Sequence, residues 1–378
     1  MIDMTPTLER TSTVAQQIAS RATTADRQGK LPIEDVHALR DGGFFALSVP
    51  SDHGGLGLSL SECVAAILTL AQGSASSALV AVMPLHVFGY AREIRPWPER
   101  MFAGMCPAAI HHGALFNNVA SEPMLGSPSR GGSFATHARP PACGGWVVNG
   151  HKTWTTGGRH ITHMLVRLQV GDDPGLMLVE QQTPGVRWEE TWVDTLSLRA
   201  SDSHDVYFTD VEVPADHLLE RGGKAGKLLP NAWFPLLLAA AYLGPAIAAR
   251  QAVVQYALER VPSALGKPIA TLPKIQRQIG EIDVALQAAQ ALLFDVAHAW
   301  TGEMSVCQGL YPRVAAAKHF AIETAQDVTN KALQIAGGQS MTSALPLERY
   351  FRDVRAGSMQ PPSGDTALEI VGRGVLEG

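Results

Sequence analysis

The spacing of apolar residues divides the chain into two helical stretches around a region with the periodicity of β-strands. Before about residue 113, apolar side chains recur at three- and four-residue intervals, which predicts helices over 11–23, 32–41 and 60–85. Between 114 and 222, short apolar or alternating segments lie among Gly, Pro and Asp clusters, which predicts strands over 145–148, 163–170, 176–180 and 205–208. After 223, the longer helical periods predict helices over 232–260, 273–303, 312–336 and 345–356.

This order predicts a mostly helical α+β fold with three domains. We expect an N-terminal helical domain over 1–113, a central antiparallel β-barrel or sandwich domain over 114–222, and a C-terminal four-helix bundle over 223–378. A chain of 378 residues is long enough for two or three units of this kind.

Composition narrows the function mainly by exclusion. The net charge is −5 and the basic residues are scattered, so no nucleic-acid partner is expected. The four cysteines lie far apart without a CxxC pair, so neither a metal site nor a disulfide framework is expected. The uncharged stretch between Lys227 and Arg250 is long enough to span a bilayer, but prolines interrupt it. With no secretory signal at the N-terminus, these features favour a buried bundle helix in a cytoplasmic protein without membrane partners.

The run from Trp146 to Gly158 carries the most specific chemistry. Its Asn149-Gly150 dipeptide predicts the turn of a hairpin, with a strand on either side. The returning strand ends as Trp154-Thr155-Thr156 beside two glycines, which together offer an aromatic wall, hydroxyl groups and accessible backbone N–H groups. Such an edge suits a flat ring with polar edges, such as an isoalloxazine, although the same pattern is typical of a strand pair at a domain interface.

Two collinear motifs make the flavin interpretation specific. The segments 121–127 (Ser-Glu-Pro-Met-Leu-Gly-Ser) and 150–158 (Gly-His-Lys-Thr-Trp-Thr-Thr-Gly-Gly) resemble the two signatures of the acyl-CoA dehydrogenase superfamily. Later segments resemble the last barrel segment and the C-terminal helical motifs of that superfamily: 198–203, 206–208, 211–214, 334–338 and 352–353. The resemblance runs from about residue 40 to the C-terminus. It implies a flavoprotein with the three domains expected above, acting on a small-molecule substrate.

The resemblance also implies individual roles around the flavin ring. Trp154 would pack against the ring, Thr156 would place its hydroxyl near N5, and Ser121 would hydrogen-bond the flavin. Ser127 would touch the pantetheine arm of a thioester substrate. Pro128 stands where an acidic residue normally follows, so the chain departs from the CoA-contacting pattern of the family at that end.

The nucleotide tail of the flavin is completed in relatives by a neighbouring subunit. The matching positions are Arg260 and the pair Gly337-Gly338, where an arginine offers paired donors and glycines let the backbone approach phosphate. The glycine pair is also typical of a helix C-cap. The resemblance therefore implies FAD and a homodimer or homotetramer. FMN is the alternative, because Pro273 stands where a nucleotide-binding glutamine is usual.

The general base of the family is missing from both of its usual positions. Near the C-terminus, residues 359–366 contain no glutamate at the matching position. On the long bundle helix, the other position falls near Phe234, a substrate-lining candidate, with Pro235 where an arginine is common. Asp365 is the candidate base. Its other interpretation, which we favour, is the N-cap of a helix that starts at Thr366.

Three functions remain open from the sequence. The first is an acyl-CoA dehydrogenase-type enzyme that oxidises an acyl thioester, with electron-transfer flavoprotein as its acceptor. The second is a reduced-flavin monooxygenase supplied by a flavin reductase, with His86 near flavin C4a and no need for a carboxylate base; the pairs 111–112 and 117–118 are further polar candidates. The third is a non-catalytic family member. Family frequency places the first slightly ahead.

Overall fold

The N-terminal third of the molecule is a layer of helices. The computed structural model describes residues 5–94, 97–125, 132–140, 144–222 and 231–377. The first five helices are α1 (Thr5–Gln28), α2 (Ile33–Asp41), α3 (Leu60–Gly73), α4 (Ala75–Ile94) and α5 (Glu99–His111). The single helix predicted over 60–85 is thus two helices. Ser74 has an extended backbone (φ −156°), and its hydroxyl accepts a hydrogen bond from Ser77 N, which caps the start of α4.

The central region forms one eight-stranded sheet. Its strands are β1 (Phe116–Val119), β2 (His137–Arg139), β3 (Trp146–Thr155), β4 (His163–Val170), β5 (Asp173–Glu180), β6 (Val186–Glu189), β7 (His204–Val213) and β8 (Leu218–Arg221). They follow the order β6-β7-β3-β2-β4-β5-β8, with β1 also paired to β4. The β1–β4 and β2–β4 pairings are parallel, so the sheet is mixed rather than wholly antiparallel as predicted.

The predicted hairpin at Asn149-Gly150 is wrong. β3 continues through both residues as one ten-residue strand along β7, with a bulge between Val148 and Gly150. The Asn149 side chain bonds across to Asp210, accepting from its N–H (2.9 Å) and donating to its carboxylate (3.0 Å). A Cβ at Gly150 would lie 2.4 Å from Thr136 Oγ1, so glycine is required by close approach inside the sheet.

The C-terminal part is a bundle around one long apolar helix. Its helices are α6 (Trp233–Glu259), α7 (Pro273–Ala299), α8 (Met304–Ala336), α9 (Leu347–Asp353) and α10 (Gly364–Glu377), with a 3-10 turn over Val354–Ser358 between the last two. α6 packs on α7 and α8, and also on α3 and α4 of the N-terminal layer. Gly244 permits this second contact, because a Cβ there would lie 2.4 Å from Ala71 Cβ. Together these parts confirm the predicted α+β, mostly helical fold class.

Helix α6 accounts for the uncharged stretch noted in the sequence. In the part of the chain that the structure describes, it is the one helix long and apolar enough, by length and composition, to cross a membrane. Most of its apolar window is buried against the other helices, a pattern that the central helix of a bundle also shows. The domain boundaries at 113 and 222 stay predictions.

Candidate active site

A buried ion pair joins the two signature segments. Lys152 on β3 is fully buried, and its ammonium donates to Glu122 Oε1 (2.7 Å) and to the carbonyl of Ala120 (3.2 Å). The Glu122 carboxylate also accepts from the backbone N–H groups of Ala135 (2.7 Å) and Thr136 (3.0 Å). Burial raises the pKa of Glu122, but the hydrogen bond and charge of Lys152, together with the hydrogen bonds from Thr136 and Ala135, outweigh this and hold it below its ordinary value. Glu122 is therefore a structural anchor.

That anchor fixes the place where Ser121 meets β3. The Ser121 carbonyl accepts a hydrogen bond from Thr153 N (3.0 Å), so the first signature lies against the strand one residue before Trp154. Sequence reasoning named Ser121 and Trp154 but attached no importance to Lys152. Side chains alternate along a strand, so Lys152 lies on the same face as the apolar Val148. This spacing predicts that Lys152 is buried and that its ammonium group needs a buried partner.

Trp154 presents its ring to solvent in a strained backbone conformation. The residue is 64% exposed, and its φ of +55° lies in the left-handed region, which costs a residue with a side chain about 1–2 kcal/mol. An exposed tryptophan on strained backbone is not explained by packing within the chain. Such strain is common where a backbone is shaped to bind a ligand.

Thr156 lies behind this edge in a chain of hydroxyl groups. Its Oγ1 is 2.9 Å from Ser203 Oγ, which is 2.8 Å from Ser201 Oγ. The Thr156 carbonyl accepts from Asn117 Nδ2 (2.9 Å), and Gly157 N donates to the Ser201 carbonyl (3.0 Å). β1 and the 198–203 segment therefore hold Thr156 from both sides. The serines belong to a motif that the sequence analysis matched without assigning them a role.

The residues present fit a flat ring with a polar edge. The hydroxyls of Thr153 and Thr155, which flank Trp154, are buried and have no hydrogen-bond partner among the described residues. The side-chain oxygens of Asn117 and Asn118 on β1 are likewise unpaired within that part of the chain. Buried polar groups are usually paired, so these unpaired atoms on β3 and β1 are consistent with a ligand such as a flavin.

His86 on α4 and Phe234 on α6 lie together where the N-terminal helices meet the C-terminal bundle. Their ring centroids are 4.8 Å apart, which brings α4 and the start of α6 into contact. His86 is 9% exposed, and its Nδ1 has no hydrogen-bond partner among the described residues. Burial, with a smaller contribution from the charge of Arg167, lowers the pKa of His86 to about 3, so the ring is neutral at physiological pH. The sequence named both residues, but their contact was not foreseen.

Asp365 does not cap the last helix. α10 begins at Gly364, and Asp365 is an exposed residue inside its first turn. The residue that precedes the helix is Ser363, whose carbonyl accepts from Ala367 N (2.7 Å) and whose hydroxyl lies 3.1 Å from that of Thr366. The predicted N-cap role is therefore wrong by two residues.

The proposed nucleotide-tail residues lie on the surface at helix ends. Arg260 is exposed at the C-terminal end of α6, and Gly337 ends α8 with a φ of +57°. A Cβ built on Gly337 or Gly338 would meet no atom within 4 Å, so packing within this chain does not require either glycine. Gly337 does form the C-cap that the sequence allowed. Ser127 lies outside the described residues.

The chain matches three family models in sequence order. They are acyl-CoA dehydrogenase, N-terminal domain, over residues 10–102; middle domain, over 118–211; and C-terminal domain, over 236–360. The protein belongs to the acyl-CoA dehydrogenase family. The acyl-CoA dehydrogenase-like protein YdbM of Bacillus subtilis (strain 168) is 36% identical over 365 residues, covering 96% of this chain and 94% of its own. Benzylmalonyl-CoA dehydrogenase of Aromatoleum aromaticum is 31% identical and covers 90% and 89%.

Solved structures show the same fold with different ligands. KijD3 in complex with FMN and a dTDP-linked amino sugar is 26% identical, with a TM-score of 0.85 over 100% of this chain and 94% of that one. The dibenzothiophene monooxygenase TdsC of Paenibacillus sp. A11-2 has a TM-score of 0.86 over 98% and 97%; at 22% identity it shows the fold alone. Members of this family bind flavin, and this acyl-CoA dehydrogenase homologue is accordingly a flavin oxidoreductase by family.

Proposed function

We propose that this family member oxidises an acyl thioester, or a similarly activated small substrate, at a flavin bound against the Trp154–Thr156 edge of β3. The observation that carries the proposal is the exposed, left-handed Trp154 flanked by unpaired buried hydroxyls. The family models and the two CoA dehydrogenase-like relatives support the dehydrogenase assignment. When bound, the flavin supplies the hydride acceptor, its N5 atom.

The residues of this chain would bind and orient the two reactants. Trp154 would cover one face of the ring, and the hydroxyl of Thr156, held by Ser203, would lie at its edge. Phe234 and His86 would form an apolar wall for the substrate and exclude water. Asp365 stays the candidate for the α-proton. Its side chain is exposed in the first turn of α10, outside the buried surroundings in which a general base usually acts, and this counts against it.

Anaerobic mixing of the flavin-loaded protein with a panel of acyl-CoA thioesters tests this function. Bleaching of the flavin absorbance by at least one thioester is expected. Asp365→Asn should abolish bleaching if Asp365 is the base, whereas Glu369→Gln, an exposed acid on the same helix, serves as the matched control. Full activity of Asp365→Asn would remove Asp365 from the mechanism, and no bleaching by any thioester would remove the dehydrogenase.

A reduced-flavin monooxygenase is the second candidate, and one observation favours it. His86 is a neutral, buried imidazole with an unpaired nitrogen beside the apolar ring of Phe234, and no carboxylate base stands at either usual position. The FMN-bound KijD3 structure supports FMN as the flavin of this branch. Stopped-flow mixing of reduced, flavin-loaded protein with oxygenated buffer separates the two: a long-lived oxygen adduct spectrum favours the monooxygenase, and direct reoxidation favours the dehydrogenase. Failure to bind any flavin would revive the non-catalytic alternative.

The form of the flavin and the assembly are part of the same proposal. We expect FAD, with its pyrophosphate held by Arg260 and Gly338 of a neighbouring subunit in a homodimer or homotetramer; FMN is the alternative. Gly338→Ala is a sharp test, because the added methyl group meets nothing in its own chain. We expect weaker FAD binding in a fluorescence titration. Gly280→Ala, also free of neighbours, is the control. Equal affinity in both variants would contradict the shared site.

A further inference from the structure

Lys318 on α8 has a buried ammonium group whose hydrogen bonds, within the described residues, all go to backbone carbonyls. It is 1% exposed, and its Nζ donates to the carbonyls of Gly357 (2.8 Å), Gln360 (2.9 Å) and Pro362 (2.9 Å). These three bonds use all three of its N–H groups. Burial lowers the pKa of Lys318 to about 8, against the attraction of Glu323. Burying a charged group costs free energy, so the position of Lys318 calls for a role beyond packing.

The three carbonyls belong to one segment, 357–362, which runs from the end of the 3-10 turn toward α10. At its start, a Cβ on Gly357 would lie 2.5 Å from Ile322 Cδ1 and 3.2 Å from Tyr242 Cδ2, so the backbone is wedged between α8 and α6. After Ser358, where the 3-10 turn ends, the chain forms no helix until Gly364. The hydrogen bonds of Lys318 thus fix the backbone of 357–362 beyond the closely packed Gly357.

This segment is connected to the Thr156 side of the site through short stretches of backbone and the hydrogen bonds between them. Asp353, four residues earlier, accepts from Leu198 N (2.9 Å) with its carboxylate and from Ser197 Oγ (2.7 Å) with its carbonyl. Ser201, three residues after Leu198, bonds to Ser203 and through it to Thr156. Residues 197–203 therefore hold both Thr156 and the start of this segment.

Two unpaired polar atoms lie along the segment. Gln360 Oε1 and Tyr242 Oη are buried and have no hydrogen-bond partner within the described residues. Tyr242 is two helical turns from Phe234 on α6, the helix that would line the substrate. Unpaired buried polar groups beside a loop that is fixed by hydrogen bonds are expected where a ligand supplies the missing hydrogen-bond partners.

We propose that Lys318 is a positioning residue for the reaction: by tying the carbonyls of Gly357, Gln360 and Pro362 it fixes the wall of the substrate site formed by 357–362. This inference rests on the proposed function for its kinetic part, but its structural part does not. Lys318 itself contacts neither substrate nor flavin in this role. It acts by holding the backbone that leads to Gln360 and to the start of α10.

The test uses the flavin-loaded protein with Lys318→Met, Lys318→Arg and the control Lys331→Met, a lysine of the same helix in surface ion pairs. Hydrogen–deuterium exchange is followed in peptides covering 356–366 and, as an internal reference, 146–157. Lys318→Met should exchange at least about tenfold faster only in 356–366, since three bonds to that segment are lost. The control should match the wild type in both peptides.

Kinetics separate positioning from mere stability. Since a 1 Å displacement of reacting groups can cost about 100-fold, the limiting rate of flavin reduction in Lys318→Met should fall about 10- to 100-fold with little change in KM. Lys318→Arg, which keeps the charge, should recover part of the rate. Wild-type rates in Lys318→Met, or a lower rate with unchanged exchange in 356–366, would overturn the proposal.

The outcomes also distinguish this inference from the proposed function. If no thioester reduces the wild-type flavin, the dehydrogenase assignment fails, while the exchange comparison still decides whether Lys318 holds 357–362. If Lys318→Met loses its flavin or its helical circular dichroism, Lys318→Arg takes its place. Its planar guanidinium cannot place three N–H groups on one nitrogen where the three carbonyls converge, so faster exchange confined to 356–366 is again expected, and wild-type exchange overturns the proposal.

Discussion

Removing one member of the Glu122–Lys152 pair should destabilise the protein far more than removing both. Lys152 is fully buried and Glu122 is 5% exposed, so either single variant strands a polar group or charge away from water. Breaking a buried pair in this way costs about 3–5 kcal/mol, whereas replacing both members is often close to neutral. Lys152→Met belongs at the lower end, because Glu122 keeps two backbone N–H donors.

The expected change in melting temperature follows from chain length. Unfolding entropy of about 2.1 cal/mol/K per residue gives about 0.8 kcal/mol/K if the whole chain unfolds as one unit, so about 3–5 kcal/mol lowers Tm by about 4–6 °C. Differential scanning calorimetry at fixed flavin concentration should show this for Glu122→Gln and Lys152→Met. The double variant should recover most of the loss, which gives a coupling energy by a double-mutant cycle.

The matched control is an exposed pair. Arg277 and Glu281 on α7 are 3.0 Å apart at the surface, and Arg277→Met should cost less than about 1 kcal/mol. Single variants at Glu122 and Lys152 that melt within 1 °C of this control, or a double variant that loses the sum of both, would refute the argument that burial sets the penalty (the ~1 °C margin corresponds to ~1 kcal/mol).

Three further outcomes are expected. Gly89→Ala would place a methyl group 2.1–2.5 Å from the Trp233 indole and should cost about 1–3 kcal/mol in thermal melts, whereas Gly104→Ala, with nothing within 4 Å, should not. Because the pKa of His86 in the folded protein is lowered to about 3, only the unfolded chain takes up a proton at this residue between pH 6.5 and 3. The free energy of unfolding should therefore fall by about 1.4 kcal/mol per pH unit as pH drops below about 6.5. In His86→Phe, the free energy of unfolding measured by urea denaturation should depend less on pH between about pH 7 and 5. An identical slope in both proteins would contradict this. Trp154→Gly should relieve the left-handed strain, so the flavin-free variant should be at least as stable as the wild type. The same variant should bind flavin about tenfold or more weakly in fluorescence titrations, because the aromatic contact with the ring is lost. An unchanged Kd would remove Trp154 from the site.

The hydrophobic periods predicted the elements well because the helices and strands are amphipathic or wholly buried. They could not foresee the break at Ser74, since the apolar spacing of α3 and α4 is continuous and a single capping hydroxyl decides the boundary. The Asn149-Gly150 turn failed for a tertiary reason: Thr136 and Asp210 use the small glycine and the asparagine amide inside a sheet. Local sequence carries no signal for either partner.

The candidate site divides in the same way. Motif resemblance located Ser121, Trp154 and Thr156, all on or beside β3, because these residues are close in sequence. Lys318 escaped notice because its partners are backbone carbonyls about forty residues away, which leave no side-chain pattern to recognise. Roles set by distant backbone groups are the part of a site that a single sequence hides.

The position of α6 also has a consequence for synthesis on the ribosome. α3 and α4 emerge well before residues 233–259, yet their apolar faces are covered by that helix. During translation of the whole β region, the nascent N-terminal helices therefore carry an uncovered apolar surface, the kind of transient exposure that recruits chaperones and promotes aggregation. Slowing translation before α6, or truncating the chain at residue 222, should lengthen that exposure, and association of the nascent chain with a chaperone would report it.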